Sequence, residues 1–360
     1  MNKILILSDI NSAHTQKWVS AMIKHGYQVM LFSFTDPISD WYKSYSNFSF
    51  LSLGYNKKGK AFSLFAKTKL TYFKSLPILK KCVKDFQPDI IHSHYASSYG
   101  LMGSLLKFSP YYVSVWGSDV FEFPKRSSLT KRILKRVFKT ADKIFSSSRI
   151  MAKEIELYTD KKAIVIPFGV DTTIFIPKNK EKSNIITLGF IKSIEKIYGI
   201  DILVKAFSIA YKQTNKLHLR IVGDGSLKTE IEQLISDLNL KDAVTLVGRV
   251  PYNQIASEYQ KLDLFINPSR FESFGVSVLE ASSSGIPVIA SNVGGLKEVV
   301  ENSKTGVLVD PENTQELANA ILEFASDEDL RLKLGQNGRQ YVLDNYSLEY
   351  SVDCLLKELS

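Results

Sequence analysis

The segment Asn267-Pro-Ser-Arg-Phe-Glu-Ser-Phe-Gly-Val-Ser-Val-Leu-Glu280 concentrates the groups best suited to chemistry. The apolar run Leu264–Asn267 ends in a proline-containing loop, and a helix is expected to begin near Phe274 or Gly275. Glu272 would then stand on the loop over the strand end, and Glu280 inside the helix past its first turn. A helix start leaves backbone N–H groups unpaired, here from Phe274 to Val276, and Gly275 would let a phosphate approach the chain closely. One glutamate can accept the hydrogens of sugar hydroxyls. The other can hold ribose hydroxyls, as acidic residues do in dinucleotide sites. With a diphosphate between them the arrangement suits a nucleotide-sugar. On spacing alone, a helix with one capping and one surface glutamate fits equally well.

A second cluster bears on that choice. Lys192 and Lys196 follow the strand-like run Asn184–Phe190, in Ile191-Lys-Ser-Ile-Glu-Lys-Ile-Tyr-Gly-Ile-Asp201. At the carboxyl end of a strand, two ammonium groups could face one diphosphate and neutralise the charge that builds on a departing nucleoside diphosphate. Other chemistries lack their residues. The turn Ser8-Asp9-Ile10-Asn11-Ser12 has no glycine fingerprint, Gly223-Asp224-Gly225 has Lys228 where the third glycine belongs, and no loop ends in Gly-Lys-Ser/Thr. Cys82 and Cys354 stand alone, against a disulfide scaffold or cysteine-based zinc site. Asp327-Glu328-Asp329 reads as a helix N-terminus placing carboxylates where the dipole favours them, rather than as a metal pair.

These residues must be carried by alternating strands and helices. Ile4–Leu7, Val29–Phe34, Ile90–His92, Tyr112–Trp116, Ile144–Ser146 and Ala163–Ile166 read as strands. Between them lie helical stretches His14–Lys24, Phe62–Phe86 (interrupted near Pro77), Ser98–Lys107 and Arg126–Thr140. Asn184–Phe190, His218–Val222, Val244–Val247, Leu264–Asn267, Pro287–Ala290 and Gly306–Val309 repeat the pattern. Such alternation implies parallel sheets covered on both faces, with ligands at the carboxyl ends of the strands. Ile166–Pro177, with Pro167, Gly169 and Pro177, is the expected connection between two domains.

A chain of 360 residues, 44% hydrophobic and 23% charged, is ordinary globular composition with material for two cores. No apolar run reaches the roughly 18 residues of a membrane span, and Ile4–Leu7 is too short for a signal-peptide core, so a cytoplasmic setting is expected. Net charge is uneven: residues 1–170 hold 26 Lys+Arg against 11 Asp+Glu, and residues 171–360 hold 20 against 26. The densest basic stretch is Lys125, Arg126, Lys131, Arg132, Lys135, Arg136 and Lys139, with Leu129, Ile133, Leu134, Val137 and Phe138 as its expected apolar face. A solvated helix face and an anionic membrane surface both fit it. No nucleic-acid motif accompanies the charge.

Phe271-Glu-Ser-Phe-Gly275 with Glu280, Gly285-Ile-Pro-Val-Ile-Ala-Ser-Asn-Val-Gly-Gly295, Glu298 and Thr305-Gly-Val-Leu-Val309 together resemble glycosyltransferase family 4, the retaining nucleotide-sugar enzymes. Ile166-Pro-Phe-Gly-Val-Asp171 resembles that family's interdomain segment, with Phe168 where asparagine is usual. The likeness implies an α/β chain of GT-B architecture, two doubly wound Rossmann-like domains facing each other across a cleft. Residues 1–170 would form an acceptor-binding domain and 171–345 a nucleotide-sugar-binding domain. Residues 346–360 would form a helix crossing back to the first domain. Lys192, Lys196 and Glu272 would be catalytic. Lys192 stands where arginine is more usual, exchanging a bidentate grip for a point charge. Val250, Pro251, Ser273, Phe274, Gly275, Val276 and Glu280 would bind the donor. The first domain departs further, with Trp116 where a histidine is common, so His14, His94, Trp116 and Asp119 stand as candidates for the acceptor side.

The implied activity is retaining transfer of a hexose-type sugar from UDP or GDP to an acceptor hydroxyl on a lipid-linked glycan, in surface polysaccharide synthesis. It would need neither metal nor cofactor and would act at the inner face of the cell membrane. Alternatives are a nucleotide-sugar-binding regulator or scaffold without catalysis, and a sugar-nucleotide epimerase.

Overall fold

The computed structural model describes residues 2–55, 68–178 and 183–359, with residues 68–73 taken by backbone alone. Thirteen strands occur among them. The first seven are β1 (Lys3–Leu7), β2 (Gln28–Ser33), β3 (Phe48–Ser52), β4 (Ile90–His94), β5 (Tyr111–Val115), β6 (Lys143–Ser146) and β7 (Ile164–Val165). They form one parallel sheet in the order β3-β2-β1-β4-β5-β6-β7, with Leu5 opposite both Met30 and Ile91. The other six are β8 (Ile186–Ile191), β9 (Leu217–Val222), β10 (Val244–Gly248), β11 (Leu264–Asn267), β12 (Val288–Ser291) and β13 (Val307–Val309). They form a second parallel sheet, ordered β10-β9-β8-β11-β12-β13. In both sheets the order reverses beside the first strand. The chain leaves β1 and β4 in opposite directions, and likewise β8 and β11, which opens a crevice at their carboxyl ends.

The strands form because their residues have two faces to bury. In β1, Ile4 to Leu7 are all fully buried, as both faces of a parallel sheet covered by helices require. One apolar core gathers around Leu5, Phe32, Ile91, Val113 and Phe138, and another around Leu188, Phe207, Leu219, Ile266 and Phe324. Contacts divide the chain into two units, Met1–Pro167 with Cys354–Ser360, and Phe168–Asp353. Within the first, Lys143 holds Glu358 through its carbonyl at 2.6 Å and its carboxylate at 3.0 Å. Within the second, Val170 donates to Tyr346 and accepts from Leu348, at 2.9 Å each, so the connecting segment is pinned to the chain's end.

Three expectations need correction. Positions 62–67 of the long expected helix lie outside the described residues, but Thr68–Phe86 is one helix running through Pro77 without interruption. An interior proline costs roughly 3 kcal/mol, and burial of Leu79, Cys82 and Phe86 along one stripe offsets it at about 1.5–3 kcal/mol per large side chain. Strand β3 has no counterpart in the sequence reading. Its Phe-Ser-Phe-Leu-Ser run is half-buried at the sheet edge and carries serines that weaken the strand signal. On the helix Ser128–Thr140, Leu134, Val137 and Phe138 face the core, whereas Leu129 is 51% exposed because it sits in the first turn beyond the packed stripe. Lys131, Arg132, Lys135, Arg136 and Lys139 are exposed on the outer side.

Candidate active site

The most structured chemistry lies where β8 and β11 diverge. Lys192 is the first residue past β8, and its N–H donates to Val222 at 3.0 Å. The loop it opens is clasped by the turn after β9: Ile194 donates to Asp224 at 3.0 Å, Leu227 to Ile194 at 3.1 Å, and Ser226 to the Glu195 carboxylate at 2.9 Å. This contact explains Gly223, whose φ is +146° and where a Cβ would drive into the Lys192 carbonyl. The Gly-Asp-Gly turn is thus a packing device rather than a dinucleotide fingerprint.

The Lys192 ammonium pairs with the Glu272 carboxylate and sits 4.4 Å from the centre of the Tyr198 ring. Both partners are largely enclosed, 15% and 13% exposed. Burial pushes the Lys192 pKa down to about 7, with the Glu280 carboxylate pulling the other way. The ammonium is the form the ion pair holds, so the group is poised to gain charge stabilisation from any further anion. Glu272 stands on the loop after β11, as the sequence reading expects. Gly295 fixes it by donating to the Glu272 carbonyl at 2.8 Å. Gly294, at φ +47°, lets the two loops touch where a side chain would strike that carbonyl.

The helix Val276–Ser283 opens at Gly275, its N-cap, and no side chain caps it. Its first N–H groups therefore remain available to an acceptor. Glu280, 6% exposed, accepts from Tyr252 at 3.2 Å on one oxygen and from Tyr259 at 3.1 Å on the other. Burial, reinforced by Glu280, raises the pKa of both phenols, so they serve as donors that keep the carboxylate oriented. A cleft of about 550 Å³, in the range that takes small ligands, is lined by Lys192, Gly223, Val250, Pro251, Tyr252 and Glu280 among others.

Of the sequence candidates, Lys192, Val250, Pro251 and Glu280 meet at this cleft, with Glu272 tied in through Lys192. Ser273 lies between Glu272 and the helix cap, and Val276 is the first helical residue. The Phe274 ring is turned into the core against Phe168 and Tyr346, at 5.8 and 6.0 Å, leaving its backbone for a ligand. Lys196 begins a short 3-10 helix, Lys196–Tyr198, with its side chain exposed and outside the cleft lining. Its carbonyl accepts from Arg270 at 2.6 Å. The sequence reading passed over Arg270, which also grips Asp201 bidentately at 2.8 and 2.9 Å and pairs with Glu312 at 2.6 Å. It fastens the Glu272 loop to the lysine loop. Tyr252, Tyr259 and Tyr198 were missed too; only Tyr252, directly after Val250-Pro251, carried a signal in its position.

In the first unit His14, His94 and Trp116 come together at the carboxyl ends of β1, β4 and β5. The Trp116 ring centre is 4.6 Å from that of His94 and 5.6 Å from that of His14. His94 shares a hydrogen bond with Ser8 at 3.1 Å, and Ser8 one with Thr15 at 2.7 Å. Asp119 serves as a brace: its buried carboxylate accepts from the backbone of Ala96 at 2.9 Å, Trp116 at 3.1 Å and Gly117 at 2.9 Å. Asp327, as expected, caps a helix, accepting from Leu330 at 2.8 Å. Among the described residues no His, Cys, Asp and Glu group of three or more could hold a metal ion, and no helix is long and apolar enough to cross a membrane.

The family description "Glycosyl transferases group 1" matches residues 171–341, and "Glycosyl transferase 4-like" matches residues 3–148. An uncharacterized glycosyltransferase of Methanocaldococcus jannaschii is 32% identical over 256 residues, 70% of each chain. A D-inositol 3-phosphate glycosyltransferase of Paenarthrobacter aurescens is 32% identical over 184 residues, 48% of this chain and 45% of its own. Among solved structures, sucrose-phosphate synthase of Thermosynechococcus elongatus shares the fold with a TM-score of 0.82 at 23% identity, covering 100% of this chain and 99% of its own.

Proposed function

The chain belongs to the glycosyltransferase 4-like enzymes of GT-B architecture, and from that premise we propose that it moves a hexose-type sugar from a nucleoside diphosphate, UDP or GDP, to an acceptor hydroxyl on a lipid-linked glycan with retention at the sugar carbon. The observation that carries the reading is the meeting of Lys192 and Glu280 at one cleft, with Glu280 on the helix that opens uncapped at Gly275 and Lys192 paired with Glu272. The diphosphate would lie between the helix N–H groups and Lys192, with the ribose hydroxyls on Glu280. Val250 and Pro251 would pack the base. Glu272, already bound to Lys192, would release it to the diphosphate and turn to the donor sugar's hydroxyls. It positions the sugar through hydrogen bonds and forms no covalent bond to it.

Lys196 would add its charge as the nucleotide leaves. Acceptor attack would come from the face of departure, and a leaving phosphate oxygen would take the acceptor proton. The positive field of two lysines and a helix start would do the work of a divalent ion. The exposed basic face of the Ser128–Thr140 helix would bring the enzyme to an anionic membrane where such an acceptor resides.

A thermal-shift panel of nucleoside diphosphates and their sugars identifies the base and then the sugar, because a ligand that binds the folded state alone raises its melting temperature. With the donor known, Glu280→Ala should weaken its binding and Lys196→Ala should slow transfer by about 100-fold or more. Near-normal turnover in both variants would remove the assignment. Turnover abolished by EDTA and restored by manganese would remove the metal-independent part.

A further inference from the structure

We propose that Trp116, Tyr95 and His14, with the Asp9 carboxylate beside them, form a subsite for a neutral pyranose. This would be the acceptor's terminal sugar, and the assignment rests on the transfer reaction proposed above.

The site stands at the switch point of the first sheet, just past the ends of β1 and β4, where a doubly wound sheet receives ligands. Trp116, Tyr95 and His14 are each part-exposed there, whereas His94 beneath them is 1% exposed. The Trp116 ring lies over His94 at 35° between planes and meets Tyr95 edge-on at 4.9 Å. Its backbone is held by Asp119, and His94 is locked through Ser8 to Thr15. The aromatic floor is therefore rigid.

Tyr95 carries a second mark. Its φ is +68°, a left-handed conformation that a bulky residue adopts only when its surroundings impose it. Here Tyr95 donates to Ser114 at 3.0 Å and accepts from Gly100 at 2.9 Å. Helix Tyr99–Ser104 and β5 thus fix the twist that brings the phenol beside Trp116. Backbone strain of this kind is kept where a side chain must be aimed.

Local charge selects the ligand class. Burial pushes His14 down to about 3, with Lys17 acting in the same sense, and holds His94 well below the usual range, so both imidazoles are neutral. Burial raises the Tyr95 pKa to about 12, and Asp119 and Asp9 add to it, so the field around the phenol is negative. Opposite charges flank the site, Lys17 near His14 and Asp9 near Tyr95, so it offers no one-sided attraction to an anionic acceptor. A neutral pyranose fits, its polarised C–H face on the electron-rich indole and its hydroxyls donating to Asp9. That carboxylate is fixed in place by accepting from Asn11 at 3.0 Å and Thr35 at 2.7 Å.

The test uses the full chain saturated with whichever nucleoside diphosphate stabilises it. Methyl α-D-glucopyranoside, methyl α-D-mannopyranoside and myo-inositol 1-phosphate are titrated by ligand-observed NMR. At least one methyl glycoside should bind saturably and more tightly than the inositol phosphate. Trp116→Leu should weaken it about tenfold or more, while Trp116→Phe, which keeps a ring face, stays within about threefold. Asp9→Asn, which preserves shape, should also weaken it and serves if the leucine variant fails to fold. Absence of glycoside binding, binding indifferent to both Trp116→Leu and Asp9→Asn, or preference for the inositol phosphate would overturn the subsite. Failure of every nucleotide to stabilise the wild-type chain would instead overturn the donor reading.

Discussion

Lys192 is held by two opposing influences. Enclosure beside Tyr198 and the Gly223 turn disfavours its charge, while the Glu280 carboxylate and the Glu272 carboxylate paired with it favour that charge. A diphosphate entering the cleft adds negative charge and raises the pKa from its value of about 7. Binding then takes up a proton wherever the free enzyme has lost one. The sign follows directly: donor affinity should be flat below pH 7 and fall above it, by at most tenfold per pH unit, until the pKa of the complex is reached. A nucleotide-sugar is the suitable probe because its diphosphate does not titrate near neutrality. Isothermal titration in two buffers of different ionisation enthalpy would count the protons. Lys192→Arg, whose guanidinium stays charged, should flatten the profile. A slope that survives this substitution would place the titrating group elsewhere. Burial and pairing, both invisible in Ile191-Lys-Ser, give this lysine its character.

Two loops carry the catalytic candidates, and one arginine binds the loops together. Arg270 spans from the Lys196 carbonyl to Asp201 and Glu312, so the segment after β11 and the 3-10 turn after β8 are tied together. Asp201 has its pKa lowered, chiefly by the Arg270 hydrogen bonds, as expected for a carboxylate held ionised. Arg270→Ala should lower stability by about 2 kcal/mol, since hydrogen bonds to charged groups contribute about 1.5–3 kcal/mol and these side chains are about one-fifth exposed. Arg270→Lys keeps the charge but loses the fork, and should recover only part. The diagnostic result is kinetic: kcat should fall in both variants with donor affinity less affected, because Lys196 is displaced while Glu280, on its own helix, is not. Unchanged kcat in a folded Arg270→Ala variant would show that the fastening is merely structural. The loop glycines were readable as a pattern; their reasons were not. Gly223 and Gly294 each clear a neighbouring carbonyl whose sequence distance gives no warning.

On the scale of the molecule, charge separates from chemistry. The five cations exposed on the outer side of the Ser128–Thr140 helix belong to the first unit, while the cleft with Lys192 and Glu280 belongs to the second. If that helix meets an anionic bilayer, each basic group contributes about 1 kcal/mol near the surface. Replacing Lys131, Arg132, Lys135 and Arg136 by glutamine should then reduce partitioning onto phosphatidylglycerol vesicles by about 100-fold or more, and raised salt should mimic the loss. Turnover on a soluble acceptor should be unchanged. Equal partitioning of wild type and variant onto anionic vesicles would make the face an ordinary solvated one.

Periodicity, turn residues and motif spacing determined that this chain builds two parallel sheets, that Glu272 lies on a loop and Glu280 in a helix, and that a family likeness runs along most of its length. Those properties are local: a strand's hydrophobic run and a helix's start depend on neighbours a few residues away. Tertiary structure alone decided that Lys192 is enclosed and paired, that Arg270 joins two loops, that two tyrosines orient Glu280, and that Asp119 braces backbone rather than facing a ligand. Each of these depends on groups brought close from distant positions, where burial changes the cost of charge and a single carbonyl decides which side chain fits.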